Sequence, residues 1–244
     1  MTTSVNDRLI IALDVPTAGE ALELFARLRD VTRRFKVGSQ LFTAAGPELV
    51  RELVQAGAQV FLDLKFHDIP NTVAAASIEA MRLGVWMLNV HALGGGEMMR
   101  RTCETLSQVC QREGLARPKI IAVTVLTSAD AATLAGVGIK HEPLEEATRL
   151  SRLAADCGLD GIVASPHEIC AVRLAVEREG FLIVTPGVRP QGAADDDQKR
   201  VMTPALALRA GADYLVVGRA ILRAADPALA AREICEEMQR AAVA

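Results

Sequence analysis

The chain has few cysteines and no C-x-x-C pair. Its five, Cys103, Cys110, Cys157, Cys170 and Cys235, make an odd count that reads as reduced thiols in a cytosolic protein rather than a disulfide frame. No run reaches the roughly 18 apolar residues that a membrane span needs. The opening MTTSVNDRLIIALD lacks a basic segment followed by a long apolar core, so a soluble, cytoplasmic protein is expected. Basic charge is not massed either. Against 30 acidic residues stand 27 scattered Lys and Arg, for a net charge of -3, which leaves no electrostatic footprint for nucleic acid. An anionic small molecule stays open, because a few placed cations can bind one without changing the total. Linkers, low-complexity tracts and repeats longer than a strand–helix unit are also missing.

What is present is a chain of 244 residues, half of them hydrophobic, long enough to bury a large core. Eight short apolar runs recur: RLIIALD (8–14), RFKVG (34–38), QVFLDLKF (59–66), VWMLNVH (85–91), KIIAVTVL (119–126), DGIVAS (160–165), FLIVTP (181–186) and DYLVVG (213–218). Between them lie segments with helical spacing, such as 18–30, 46–57, 144–158 and 166–180, several ending in a glycine (Gly57, Gly84, Gly158, Gly180) suited to a positive-φ C-cap. Eight buried-type strands, each followed by a helix, predict a single-domain (β/α)8 barrel over 1–244. A doubly wound sheet is the alternative, but the turn after the first strand, LDVPTAGE, has no glycine-rich fingerprint.

In such a barrel the active face lies at the C-terminal strand ends and the loops after them. That reduces the search to Asp14, Lys36, Asp63, Lys65, Asn89, His91, residues 124–128, Ser165, residues 185–189, Gly218 and Arg219. The third strand, in FLDLKFHDIPNTV, is charged where it should be greasy. With a side-chain period of two, Phe61, Asp63 and Lys65 share one face and Leu62, Leu64 and Phe66 the other. The apolar face belongs under the helices, so Asp63 and Lys65 point into the barrel mouth beside Lys36. An isolated pair there would read as a structural ion pair. Three or four converging charges read as a functional, mutually neutralising array. Asp68 lies beyond the strand, before Pro70, where periodicity does not say which way its carboxylate points.

DLKFHDIPNTV resembles the signature of the orotidine 5′-phosphate decarboxylase family. The likeness extends, in order, to ALD near the start, FKVG (35–38), VTVLTS (123–128), TPGVRPQG (185–192), DQKR (197–200) and VVGR (216–219). It implies a cofactor-free, metal-free carboxy-lyase of pyrimidine synthesis that converts orotidine monophosphate to uridine monophosphate and carbon dioxide. The resemblance further implies a homodimer in which Lys36, Asp63, Lys65 and Asp68 alternate in charge, with Asp68 and Thr72 contributed across the interface and Lys65 as proton donor. By the same carry-over Asp14 meets the ribose hydroxyls with Lys36 nearby, and Thr127 and Ser128 the pyrimidine. Pro186, Arg189, Gln198, Gly218 and Arg219 serve the lid and the phosphate.

The chemistry suits those residue types. Loss of carbon dioxide from C6 leaves an electron pair in the ring plane, which ring resonance cannot absorb, so fixed charge must stabilise it. The same ammonium can then deliver the proton. At the other end, strand eight runs into GRAIL, which puts the Gly218 and Arg219 amides at the start of a short helix, a common phosphate position in barrels. The loop at about 187–200, GVRPQGAADDDQKR, has one aliphatic besides alanines and is expected to close over the phosphate, with its acidic run facing solvent. His67 is expected to support its loop and His91 to line the mouth or the dimer contact. HALGGGEMM (91–99) reads as a close-packed turn or interface segment, and Trp86 and the cysteines as packing residues. Two rivals stay open: a Mg²⁺-dependent sugar-phosphate lyase or decarboxylase of the same superfamily, and a non-catalytic nucleotide-binding barrel.

Overall fold

The computed structural model describes residues 5–189 and 202–243. Eight parallel strands, β1 (Leu9–Ala12), β2 (Arg34–Gly38), β3 (Gln59–Phe66), β4 (Met87–His91), β5 (Lys119–Val123), β6 (Gly161–Val163), β7 (Leu182–Thr185) and β8 (Tyr214–Val217), pair in chain order. β8 closes onto β1 through Leu9↔Leu215, Ile10↔Val216 and Ile11↔Val217. The expected (β/α)8 barrel is therefore present. Among the described residues no helix is long and apolar enough to cross a membrane.

The side-chain period of two splits the strands into two apolar layers. Leu9, Ile11, Phe35, Val37, Leu62 and Leu88 face outward into the shell beneath the helices. Ile10, Ala12, Phe61, Met87, Ile121, Val184 and Val216 fill the barrel itself. Register carries the inward parity from strand to strand: Ala12 lies beside Lys36, Lys36 beside Phe61 and Gly38 beside Asp63. Below Lys36 on the same face of β2, Arg34 helps close the bottom of the barrel. Its guanidinium lies 4.7 Å from the Trp86 ring centroid and 5.2 Å from that of Tyr214, so Trp86 is a packing residue with a cation–π partner.

The helices follow the expected alternation with shifted ends. The first, α1 (Ala18–Leu28), is capped by the Thr17 side chain, which accepts from the Glu20 N–H. Next, α2 (Ser39–Gln55) begins seven residues before the expected start at 46, because the stretch before Gly46 is helical too; Gly46 at φ 70° and Pro47 kink it rather than start it. They are followed by α3 (Pro70–Arg82), α4 (Gly95–Glu113), α5 (Ala131–Gly136) and α6 (Pro143–Asp156). Gly57, Gly84 and Gly158 each follow a helix C-cap at positive φ, as expected. The segment expected to be helical over 166–180 is shorter: a 3₁₀ turn, Pro166–Glu168, then α7 (Ile169–Ala175). Val176 turns extended and is buried, and the charged residues after it form an exposed loop. Gly180 thus serves a turn in which the Phe181 N–H donates to the Arg178 carbonyl, not a helix end. The chain finishes with α8 (Pro204–Arg209), α9 (Arg219–Leu222) and α10 (Pro227–Val243).

Gly94 to Gly96 open α4 as a close-packed turn. A Cβ on Gly94 would meet Met98 Cε at 2.2 Å, and one on Gly96 would meet Cys157 Sγ at 3.3 Å.

Candidate active site

The register sets Lys36 beside Ala12 and Phe61 and Gly38 beside Asp63, so the Lys36 side chain must extend from the apolar layer toward the C-terminal end of the barrel to reach Asp63. Lys36 Nζ donates to Asp14 Oδ1 at 2.8 Å and lies 3.4 Å from Asp63 Oδ2. Asp63 Oδ1 in turn lies 2.6 Å from Lys65 Nζ. The four side chains form a line of alternating charge, Asp14–Lys36–Asp63–Lys65. Lys36 is buried, and an unpaired ammonium there would cost several kcal/mol. Burial works against its charge, but the carboxylates of Asp63 and Asp14 outweigh that, and the Lys36 pKa is raised above its ordinary value. Gly38 leaves the room this requires, since a Cβ there would stand 3.0 Å from Lys36 Nζ.

β3 departs from regular geometry where its charge is densest. Leu62 pairs with Leu88 and Phe66 with Val90, so three residues of β3 stand opposite Asn89 alone. Lys65 takes up the excess at φ 53°, the one positive-φ residue other than glycine among the described residues. A conformation of this kind costs a non-glycine residue roughly 1–3 kcal/mol, persists only where its surroundings hold it, and concentrates at functional sites. What holds it is the Asn89 side chain, fully buried. Its Oδ1 accepts from the Lys65 N–H at 2.8 Å and its Nδ2 donates to Asp63 Oδ1 at 2.7 Å. The sequence put Asn89 on the active face without a role. The available signal was a carboxamide in a strand whose neighbours Met87, Leu88 and Val90 are all apolar.

A cavity of about 240 Å³ opens over this line. Of the residues expected to form the site, Asp14, Lys36, Asp63, Lys65, Thr127, Pro186, Arg189, Gly218 and Arg219 all line it. Val123, Val125 and Val163 give it one apolar wall. Gly218 precedes α9 and lies close to β1, where a Cβ would meet Ala12 Cβ at 3.3 Å and Asp14 Oδ2 at 3.4 Å. Asp68, Thr72 and Ser128 are exposed and do not line the cavity. Asp68 Oδ1 accepts from the N–H of its own neighbour Ile69 at 2.6 Å. Gln198 lies outside the described residues, as does most of the loop at 187–200. Its first residues are described: Val188 bridges to Met202, and the Arg189 N–H donates to the Met202 carbonyl at 3.0 Å.

Behind Lys65 the imidazoles of His67 and His91 stack, with centroids 5.3 Å apart and planes 19° from parallel. Burial, the neighbouring His67 and the Lys65 ammonium push the His91 pKa down to about 4. His91 is thus neutral at pH 7, and its Nδ1 accepts from the Leu93 N–H at 3.4 Å.

Residues 7–234 match the family model described as orotidine 5′-phosphate decarboxylase / HUMPS family. The chain is 54% identical over 233 residues to the orotidine 5′-phosphate decarboxylase of Geobacter sulfurreducens, covering 96% of each protein. It is 52% identical over 230 residues to that of Chromobacterium violaceum, covering 94% of this chain and 91% of the relative. The crystal structure of the orotidine 5′-phosphate decarboxylase from Lactobacillus acidophilus superposes with a TM-score of 0.82 at 34% identity, over 95% of this chain and 99% of that one. Fold, charged strand and near-complete sequence coverage agree, and the chain belongs to the orotidine 5′-phosphate decarboxylase / HUMPS family.

Proposed function

We propose that the protein decarboxylates orotidine 5′-monophosphate to uridine 5′-monophosphate without a metal or organic cofactor. The observation that carries this reading is the alternating line Asp14–Lys36–Asp63–Lys65 along a cavity that Gly218, Arg219 and Arg189 also line. In the proposed reaction the bond from C6 to the carboxylate carbon breaks, its electron pair stays on C6, and carbon dioxide leaves. Lys65 Nζ faces the developing carbanion, stabilises it, passes one proton to C6 and is left as an amine that regains its proton from solvent. The gain comes from a charge that interacts more strongly with the localised carbanion than with the delocalised substrate carboxylate. Asp63 and Asn89 aim the ammonium, and Lys36 with Asp14 faces the ribose. Thr127, with Ser128 in the same turn, is assigned to the pyrimidine.

The phosphate is assigned to the Gly218 and Arg219 end of the cavity, together with Arg189, Pro186 and Gln198, and residues 187–200 are proposed to close over it. Support comes from the lining by Pro186, Arg189, Gly218 and Arg219. Grip on a group remote from C6 supplies binding energy for the reacting end.

The active form is proposed to be a homodimer in which Asp68 and Thr72 complete the partner's site. Both are exposed and off the cavity of their own chain, and Ile69 between them leaves 67% of its surface uncovered. A cytoplasmic setting fits the five cysteines, none of them in a disulfide.

The magnesium-dependent rival needs carboxylate lone pairs free for a cation. Both oxygens of Asp63 are taken, Oδ1 by Lys65 and Asn89 and Oδ2 by Lys36, and two ammonium groups flank the position a metal would need. Turnover of orotidine monophosphate by the purified protein, followed as released carbon dioxide with and without EDTA, decides the matter. Equal rates are expected. Strict Mg²⁺ dependence would favour the lyase rival, and nucleotide binding without turnover the non-catalytic one.

A further inference from the structure

β4 buries a single carboxamide, Asn89, at the one place where β3 carries surplus residues. Between Leu62↔Leu88 and Phe66↔Val90 the regular pairing of β3 with β4 lapses, and an N–H left without a ladder partner must find another acceptor. For Lys65 that acceptor is Asn89 Oδ1, at 2.8 Å. The other half of the amide grips Asp63 Oδ1 at 2.7 Å, the same oxygen that receives the Lys65 ammonium at 2.6 Å. One planar group therefore fixes both the backbone from which Lys65 departs and the carboxylate toward which its tip points. The amide orientation is forced: flipped, its oxygen would face a carboxylate oxygen and its NH₂ an N–H donor.

We propose that Asn89 is a positioning residue for decarboxylation, holding Lys65 in its left-handed turn and Asp63 in register so that the ammonium stands at the reacting carbon. The inference rests on the decarboxylase reading above. A residue that only satisfied buried polar groups would affect folding and leave the chemical step of the folded protein alone. A positioning residue acts on kcat, because a displacement of about 1 Å at the reacting atoms costs on the order of 100-fold.

Asn89→Asp separates the two roles. The substitution is isosteric and keeps the acceptor for the Lys65 N–H, but sets a second carboxylate oxygen against Asp63. Two carboxylates at that distance repel and favour sharing a proton, against the pull of the Lys65 and Lys36 ammoniums on Asp63, and protonation of the pair restores the missing donor. The charged groups around the position are Asp63 and Lys65 from β3 and Lys36 of β2 beyond Asp63, and the titratable His91, neutral over the pH range of the experiment, stands two residues on in β4. On the β5 side the neighbour is the apolar Ile121.

The experiment measures kcat and KM for the parent, Asn89→Ala and Asn89→Asp across pH 5 to 9, with uridine monophosphate affinity as a control on the folded site. For Asn89→Ala, kcat is expected to fall about 100-fold with KM and product affinity within a few-fold of the parent. For Asn89→Asp, kcat relative to the parent's should climb as pH falls, by up to about tenfold per unit until the shared proton is bound. A kcat for Asn89→Ala close to the parent's, or a pH profile for Asn89→Asp parallel to the parent's, would overturn the positioning role. Should Asn89→Ala fail to fold, the Asn89→Asp profile decides alone. A parent that does not turn over orotidine monophosphate would instead overturn the functional reading.

Discussion

Lys65 reaches Asp63 with its ammonium at 2.6 Å, two residues along the same strand, from a backbone turned to φ 53°. Two separate predictions come from that geometry. Removing the ammonium in Lys65→Ala should lower kcat by about 10⁴-fold or more, since both charge stabilisation and the proton are lost. Uridine monophosphate, which needs neither, should still bind within about tenfold of the parent affinity. Near-normal turnover would remove Lys65 from the chemistry. Independently of activity, Lys65→Gly should be more stable than Lys65→Ala by about 1 kcal/mol, because only glycine adopts the left-handed region without penalty. Chemical denaturation of the two variants measures the difference.

The sequence carried the barrel because its evidence is repetitive: eight apolar runs and a parity of two that survives as far as Asp63 and Leu64. Counting by twos also sends Lys65 inward, and it does line the cavity. Alternation could not reveal that β3 carries two more residues than β4 across this stretch, since a bulge is a relation between strands and not a property of one. The partners of Asn89 depend on that relation and were hidden with it. The turn after β5 shows a similar limit. Thr127 lines the cavity while its neighbour Ser128 is exposed, a choice made by local turn geometry that residue type does not reveal. Helix ends were misplaced where a kink at Gly46 or an extended Val176 interrupted a continuous helical pattern.

Asp68 occupies its carboxylate with the Ile69 N–H of its own chain, at 2.6 Å, and does not line the cavity that Lys65 lines. If it serves the partner's Lys65 position, Lys65→Ala and Asp68→Ala subunits, each inactive alone, should complement. A heterodimer holds one site with both lesions and one with neither. Random mixing makes half the dimers hybrid, so recovery of about a quarter of the parent activity is expected from two-fold symmetry. Verified heterodimers without recovered activity would assign Asp68 to its own subunit.

His91 gives the protein an acid sensitivity that can be separated from catalysis. Its folded pKa of about 4 lies below the ordinary 6.5, owing to burial, His67 and Lys65 in that order. A depressed pKa means that the unfolded chain binds the proton more tightly. The contribution of a neutral His91 to stability is therefore complete above about pH 6.5 and is lost as pH falls toward 4, at up to about 1.4 kcal/mol per unit. Between pH 7 and pH 5 the parent should lose about 2 kcal/mol from this group. His91→Asn keeps an acceptor for the Leu93 N–H but has nothing to protonate, so its stability should decline less over the same interval by that amount. Urea denaturation at both pH values, at one fixed protein concentration so that any dimer linkage cancels, checks the difference. Parallel declines in parent and variant would show that the stacked imidazole exchanges its proton as freely in the folded protein as in the unfolded chain.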